Sequence, residues 1–192
     1  MRVKTRWNNK DKERSIQETA SALAFNAWRI CQRALLNLEN EGFQTDTQAD
    51  RLAVIKEFST FLLHVIDRVA YQRMDDEERA AFVTAVARRL ADYVQDNGRD
   101  LLGPGDHRGP YIELLNRRMD EFSEFGFSDF EPSFQMTRYF GDRLAETLGP
   151  RQREWVSTQI IDIEVPEALK TLKRVMNSMV PELPPASADQ SA

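Results

Sequence analysis

The 192-residue sequence has one cysteine, two histidines and no long apolar run. A lone Cys31 cannot form an intramolecular disulfide, which agrees with a reducing compartment. A membrane helix needs roughly 18 or more consecutive apolar residues, and no stretch approaches that length. No apolar segment follows the basic start of the chain, as a secretory signal would require. We therefore expect a soluble, cytoplasmic protein without a membrane span.

Positive charge is scarce over most of the chain, whose formal net charge is −5. Residues 1–14 carry six basic and two acidic side chains, whereas residues 15–192 carry 20 basic and 29 acidic ones. Nucleic-acid binding normally requires a clustered basic surface, so we expect no nucleic acid as partner. Residues 1–10 are interpreted as a flexible basic N-terminal arm, with contact to an anionic lipid or RNA as the alternative.

The common catalytic and metal-binding motifs are also missing. The sequence has no GxxxxGK[ST] phosphate loop, no HExxH or CxxC zinc pattern and no GxSxG nucleophile elbow. Neither histidine follows a glutamate at the three-residue spacing of a ferritin-like di-iron centre. We therefore predict no cofactor and favour a protein that is not an enzyme.

Apolar residues recur three and four positions apart along almost the whole chain, which predicts an all-α fold. The predicted helices cover about 11–40, 45–74, 75–97, 111–125, 132–148 and 151–180. Helices 1–3 are long and antiparallel, helices 4–6 are shorter, and the sixth is expected to be interrupted before Pro166. We predict a single-domain bundle of about six helices in residues 11–180, with residues 181–192 as a disordered tail.

Two predicted helix ends and one helix face bear on the packing. Gly98 is interpreted as the C-cap of the third helix, and Pro132 as the first residue of the fifth. The first helix has a face of small residues, while Phe25, Trp28 and Leu36 point elsewhere. Such a helix is central in the bundle or is covered by a second subunit, and the second case predicts a homodimer.

The first group of candidate functional residues is a polar stripe on the second helix. At about 100° per residue, the stripe contains Glu57, His64, Asp67, Arg68 and Tyr71. His64 and Asp67 lie one turn apart and can share a metal ion. A ladder of ordinary ion pairs and hydrogen bonds has the same spacing, and burial of the stripe decides between the two interpretations.

Two further groups lie outside the long helices. Asp106, His107 and Arg108 occupy a loop rich in glycine and proline, which is either an anion-binding loop or a plain connector. An acidic stretch rich in phenylalanine follows the fourth helix and supplies four candidate partner-binding residues, Phe127, Asp129, Phe130 and Glu131. Buried rings there would staple two helices together, whereas exposed rings rimmed by acid would dock a basic amphipathic segment.

Two functional hypotheses follow. In the first, the chain is a non-enzymatic adaptor, assembly factor or regulator that binds another protein through the acidic aromatic stretch, as a homodimer. In the second, it binds a small ligand or a metal, with or without catalysis, at the polar stripe of the second helix. A stripe that faces a cavity favours the second hypothesis, and one that faces water favours the first.

Overall fold

The computed structural model describes residues 9–149 and 153–180. Within these residues the chain is almost entirely helical, and the predicted all-α bundle is confirmed. Of the predicted N-terminal arm, Asn9 and Lys10 belong to the first helix, and residues 1–8 lie outside the described residues. The predicted tail, 181–192, also lies outside them.

The described residues form six helices, the last of which contains a π-turn. The α-helical segments are α1 (Asn9–Asn40), α2 (Gln48–Tyr71), α3 (Asp76–Leu102), α4 (Arg108–Ser123), α5 (Phe134–Leu148), α6 (Arg153–Gln159) and α7 (Val165–Met179). The π-turn, Ile160–Glu164, joins α6 to α7 without a break. A two-residue hairpin, β1 (Phe127–Ser128) with β2 (Glu131–Pro132), precedes α5.

Helix α1 is central and packs against α2, α3 and α7. Its small face is buried among these helices, at Ala20, Ala24, Ala27, Cys31 and Ala34. Small side chains at the contact allow short distances between helix axes, so the fold uses this face within one chain. Of the three large residues predicted to point away from this face, Phe25 and Leu36 are exposed, whereas the ring of Trp28 is buried beside Tyr93.

Helix α2 begins and ends at local signals. The Thr47 side chain accepts from the N–H of Asp50, and the Asp50 carboxylate accepts from the N–H of Thr47, which forms a capping box. This cap lies later than the predicted start at Thr45 or Asp46. The helix also ends at Tyr71 rather than Met74, because Asp75 already caps α3 through the N–H of Glu78 and the chain must turn between the two.

The predicted end of α3 at Gly98 was wrong. The helix continues to Leu102, and Gly103 closes it with a φ of 95°, a conformation that glycine adopts at little cost. Gly98 lies inside the helix. A glycine is needed at this position because the ring of His107 packs directly on it, where a Cβ atom would overlap the ring. The glycine permits close approach of the following loop, and it does not terminate the helix.

The starts of α4 and α5 also differ from the prediction. The Asp106 carboxylate accepts from the N–H groups of Arg108 and Gly109, so α4 begins at Arg108 rather than Tyr111. Helix α5 begins at Phe134 because the Ser133 side chain accepts from the N–H of Met136. Pro132 therefore precedes the helix and lies in β2.

Helix α2 is the most deeply buried element, and aromatic rings hold it against α4 and α5. Phe61 stacks on Phe140 at 4.4 Å between ring centroids, and Phe58 meets Phe140 edge-on at 5.0 Å. Phe122 of α4 lies 5.8 Å from Phe61. This packing surrounds α2 with other helices and so decides where its polar stripe lies. No helix among the described residues has the length and apolar character to cross a membrane.

Candidate functional sites

The polar stripe of α2 begins with a buried ion pair between Glu57 and Arg118. Glu57 is 6% exposed, and the guanidinium of Arg118 in α4 donates to both of its oxygens at 2.8 and 2.9 Å. Arg118 also donates to Glu121 at 2.6 Å. Burial by itself would lower the pKa of Arg118, but the hydrogen bonds to Glu57 and Glu121 raise it above its ordinary value. The guanidinium of Arg118 therefore stays charged, and this ion pair links α2 to α4.

One turn beyond His64, Asp67 forms a second bidentate ion pair. Arg79 of α3 donates to the two Asp67 oxygens at 2.7 and 2.9 Å, and its guanidinium lies 5.1 Å from the centre of the Tyr71 ring. The hydrogen bond to Asp67 raises the pKa of Arg79. Tyr71 is exposed and Arg68 is half-buried. This part of the stripe links α2 to α3.

His64 lies between the two ion pairs and has no polar partner. Its side chain is 2% exposed, and neither ring nitrogen makes a hydrogen bond. Its nearest aromatic neighbour is Phe122, at 5.6 Å between centroids. Burial lowers the pKa of His64 to about 4, against the attraction of Asp67 and together with the repulsion of Arg68 and Arg79. The imidazole is therefore neutral at physiological pH.

The part of the stripe from Glu57 to Asp67 thus faces neither a cavity nor bulk water, because α3 and α4 cover it. The Asp67 oxygens already accept from Arg79, so the predicted metal at His64 and Asp67 has no support in the geometry. Across residues 9–149 and 153–180, no three His, Cys, Asp or Glu side chains come together as a metal site. The geometry is that of an ion-pair ladder, with one unpartnered imidazole in the middle.

The loop candidates Asp106, His107 and Arg108 bond mainly within their own surroundings. The side-chain oxygen of Gln95 accepts from the N–H groups of His107 and Arg108, both at 2.9 Å. His107 packs on Gly98 and pairs with the Gly103 carbonyl at 2.9 Å, and Arg108 pairs with Asp92. These amides have internal acceptors, so the arrangement is that of a braced connector between α3 and α4.

The acidic aromatic stretch contains one strained turn. Asp129 and Phe130 have φ of 48° and 69°, so the β1–β2 hairpin turns through two residues of positive φ, as in a type I′ turn. A bulky residue such as phenylalanine is rare in this conformation. Phe130 is held there by burial and by Lys173 of α7, 5.7 Å from the ring centre. Phe127 is half-buried, while Asp129 and Glu131 are exposed.

An apolar groove lies between α3 and α4, outside the predicted stripe. It encloses about 450 Å³. Its apolar lining includes Leu63, Val83, Ala87, Ala91, Ile112 and Met119. Arg88 and Arg108 also line it, and no acidic side chain does so in the described part of the chain. Sequence patterning did not identify this groove, because local periodicity does not specify how the consecutive helices α3 and α4 pack against each other.

A second missed site is centred on Glu164, at the end of the π-turn. Glu164 is 1% exposed and accepts from the amides of Asn37 and Gln159, both at 3.2 Å. A sequence signal was available, because buried positions recur at every fourth residue through this segment, at Val156, Ile160, Glu164, Ala168, Leu172 and Met176. Glu164 is the only acid in that stripe.

The two missed sites and the stripe differ in what they leave open. The α2 stripe is closed by its own ion pairs, whereas the α3–α4 groove and the surroundings of Glu164 retain open volume. Ligand and partner sites are concave surfaces of this kind. Function is therefore inferred from geometry, since no family model, no curated protein and no solved structure matches the chain.

Proposed function

We propose that this protein is a helical interaction module that binds an acidic amphipathic helix of another protein in the groove between α3 and α4. The observation that carries the proposal is an apolar groove of about 450 Å³ whose charged lining residues are both arginines. Amphipathic helices bind such grooves through apolar anchors at helical spacing.

The shape of the groove follows from the residues of its walls. On α3, Val83, Ala87 and Ala91 recur every four residues and form a shallow floor, which a partner helix can approach closely. On α4, Ile112 is exposed and Met119 is half-buried. A methionine adapts its shape to irregular partners. The groove thus offers apolar area that this chain leaves partly open to water.

The charge of the groove favours an acidic occupant. Arg88 is exposed and has no ion-pair partner among the described residues. Complementary charges at the rim of an interface speed association and reject partners of the wrong sign. An acidic helix therefore fits this groove better than a basic one. A basic segment was expected to dock on the Phe127–Glu131 stretch, but Phe130 of that stretch is buried in the fold.

The test uses two displayed libraries of amphipathic helices, one with acidic and one with basic residues on the polar face. We expect binders from the acidic library only. Charge reversal by Arg88→Glu should weaken them by about tenfold or more, because it places like charges across the rim. Arg138→Glu is the matched control, since Arg138 is exposed on α5 away from the groove.

The other outcomes count against the proposal. Equal enrichment of the basic library, or equal loss in Arg88→Glu and Arg138→Glu, would contradict an arginine-rimmed docking groove. Light scattering over micromolar concentrations tests the remaining occupant, a second copy of this chain. A stable dimer lost with Arg88→Glu would replace the partner helix by self-association.

A further inference from the structure

The π-turn lies beside a cavity that the proposed function does not use. This cavity, of about 370 Å³, runs between α1 and α7, and an adjoining one of about 260 Å³ continues past the end of α1. Four residues line both cavities, namely Arg33, Asn37, Glu164 and Glu167. A volume of a few hundred Å³ is that of a small-molecule site.

The π-turn places a carboxylate in the wall of this cavity. The π-helical geometry is uncommon and is frequent at functional sites. Here it sets Glu164 in the otherwise apolar row that α6 and α7 bury. Each Glu164 oxygen accepts one amide hydrogen bond, from Gln159 or from Asn37. An ionised carboxylate has about four acceptor positions, so the two amides leave acceptor capacity on both oxygens.

The charges around Glu164 make it receptive to a cation. Burial raises the pKa of Glu164, the amides of Gln159 and Asn37 act in the opposite direction, and the negative charges of Glu167 and Glu41 raise it further. No side chain in the described residues forms an ion pair with it. Glu164 therefore differs from Glu57, whose charge is neutralised inside the fold.

Helix α1 supplies unpaired positive charge to the cavity. Arg29 and Arg33 are exposed on successive turns of α1, and neither has an ion-pair partner among the described residues. Arg29 lies 5.9 Å from the centre of the Phe25 ring. Ile30, Ala34 and Ala168 give the cavity an apolar lining. Because Arg33 and Glu164 both line the two adjoining cavities, a ligand at their junction meets a guanidinium group and a carboxylate together.

We infer that this cavity binds a small amino-acid zwitterion, with its ammonium group donating to Glu164 and its carboxylate accepting from Arg33. The apolar lining residues Ile30, Ala34 and Ala168 receive the side chain of the ligand. Arginine binds carboxylates through paired N–H donors, and a buried carboxylate without a cation gains most from a ligand ammonium. The amide donors Asn37 and Gln159 orient Glu164 for this contact.

The experiment is calorimetric titration of the full chain with the standard L-amino acids. The best binder is then compared with its decarboxylated amine and its deaminated acid. Both truncated compounds should bind about tenfold or more weakly, because each leaves one charged group of the site without its partner. Failure of every amino acid to bind at millimolar concentration would overturn the inference.

Two variants assign the contacts. Glu164→Gln is close to isosteric and should lose about tenfold or more in affinity for the amino acid, with little loss for the deaminated acid. Arg33→Gln should also lose about tenfold or more in affinity for the amino acid, but with little loss for the decarboxylated amine. Glu113→Gln, at an exposed position on α4, is the control. Unchanged binding in Glu164→Gln contradicts the assignment of the ammonium contact.

A pH titration provides a readout that does not depend on any variant. Because the ligand ammonium requires ionised Glu164, affinity should rise with pH until that carboxyl is fully ionised. Below that point, binding should release a proton, so the binding enthalpy should change with the ionisation enthalpy of the buffer. An affinity that is independent of pH and buffer across this range would contradict a role for Glu164.

Discussion

Glu57 and Glu164 are both almost fully buried, but they meet different partners. Glu57 receives two N–H groups of Arg118, so its negative charge is balanced within the bundle. Glu164 receives two neutral amides, and the negative charges of Glu167 and Glu41 repel it. Equal burial therefore has opposite consequences. The α2 stripe stabilises the fold and is closed to ligands, while the π-turn site stays open to a cation from outside.

The largest expected effect is the removal of the cation from the α2 stripe. Arg118→Met leaves Glu57 buried without a partner and should lower the free energy of unfolding by about 3–5 kcal/mol. Urea denaturation of the wild type and of Arg118→Met measures this difference in the free energy of unfolding. The double variant Glu57→Leu/Arg118→Met should recover most of the loss, because replacement of a whole buried pair by apolar residues is often near neutral. A loss below about 1 kcal/mol in the single variant would contradict a closed, charged pair.

The next effect concerns His64 and pH. Its pKa is about 4 in the folded protein and about 6.5 when unfolded, so between these values the unfolded chain binds a proton that the folded chain does not. Stability should therefore fall as pH decreases from about 6.5 to 4, by up to about 3 kcal/mol from this group. His64→Met should flatten that part of the stability curve.

The control for this titration is His107→Asn, since His107 is only half-buried and its imidazole has a partner. The carboxylates that titrate in the same range are common to all three proteins, so differences between the curves isolate each histidine. Parallel curves for the wild type and His64→Met, from denaturation at each pH, would show that His64 is protonated equally in both states.

The smallest effect on stability is expected at Glu164, and its pH dependence is opposite in sign to that of His64. Because its pKa is raised by folding, the folded protein keeps a proton that the unfolded chain has lost, and this contribution to stability declines as pH rises from acid. Glu164→Gln should differ from wild type by about 1 kcal/mol or less, the usual net value of one hydrogen bond. Its stability relative to wild type should increase toward neutral pH. A strongly destabilised variant would identify Glu164 as a structural partner.

The helical periodicity predicted the fold class and the number of helices, because both depend on local spacing, and it placed the candidate polar stripe on α2. It did not predict which way the stripe faces. The partners that cover it, Arg118 and Arg79, lie on other helices, and nothing local to α2 encodes them. The predicted end of α3 at Gly98 was wrong for a related reason. A glycine can mark either a helix end or a close tertiary contact, and here it allows the contact with His107.

The α-helix is interrupted before Pro166, as expected, and the interruption takes the form of a π-turn over Ile160–Glu164. The reason lies in the buried row of α6 and α7. In a regular α-helix, positions four apart drift by about 40° per step, or about 200° from Val156 to Met176. A π-turn holds one extra residue and absorbs about 100° of that drift. The row therefore continues to face the bundle.

In the gene, this geometry makes the π-turn sensitive to the deletion of a single codon. Loss of one codon within Ile160–Glu164 would restore a regular helix and rotate α7 by about 100° relative to α6. Leu172 and Met176 would then turn away from the core in which both are now fully buried. The segment therefore has to keep its length, although no side chain in it has to be conserved for that purpose.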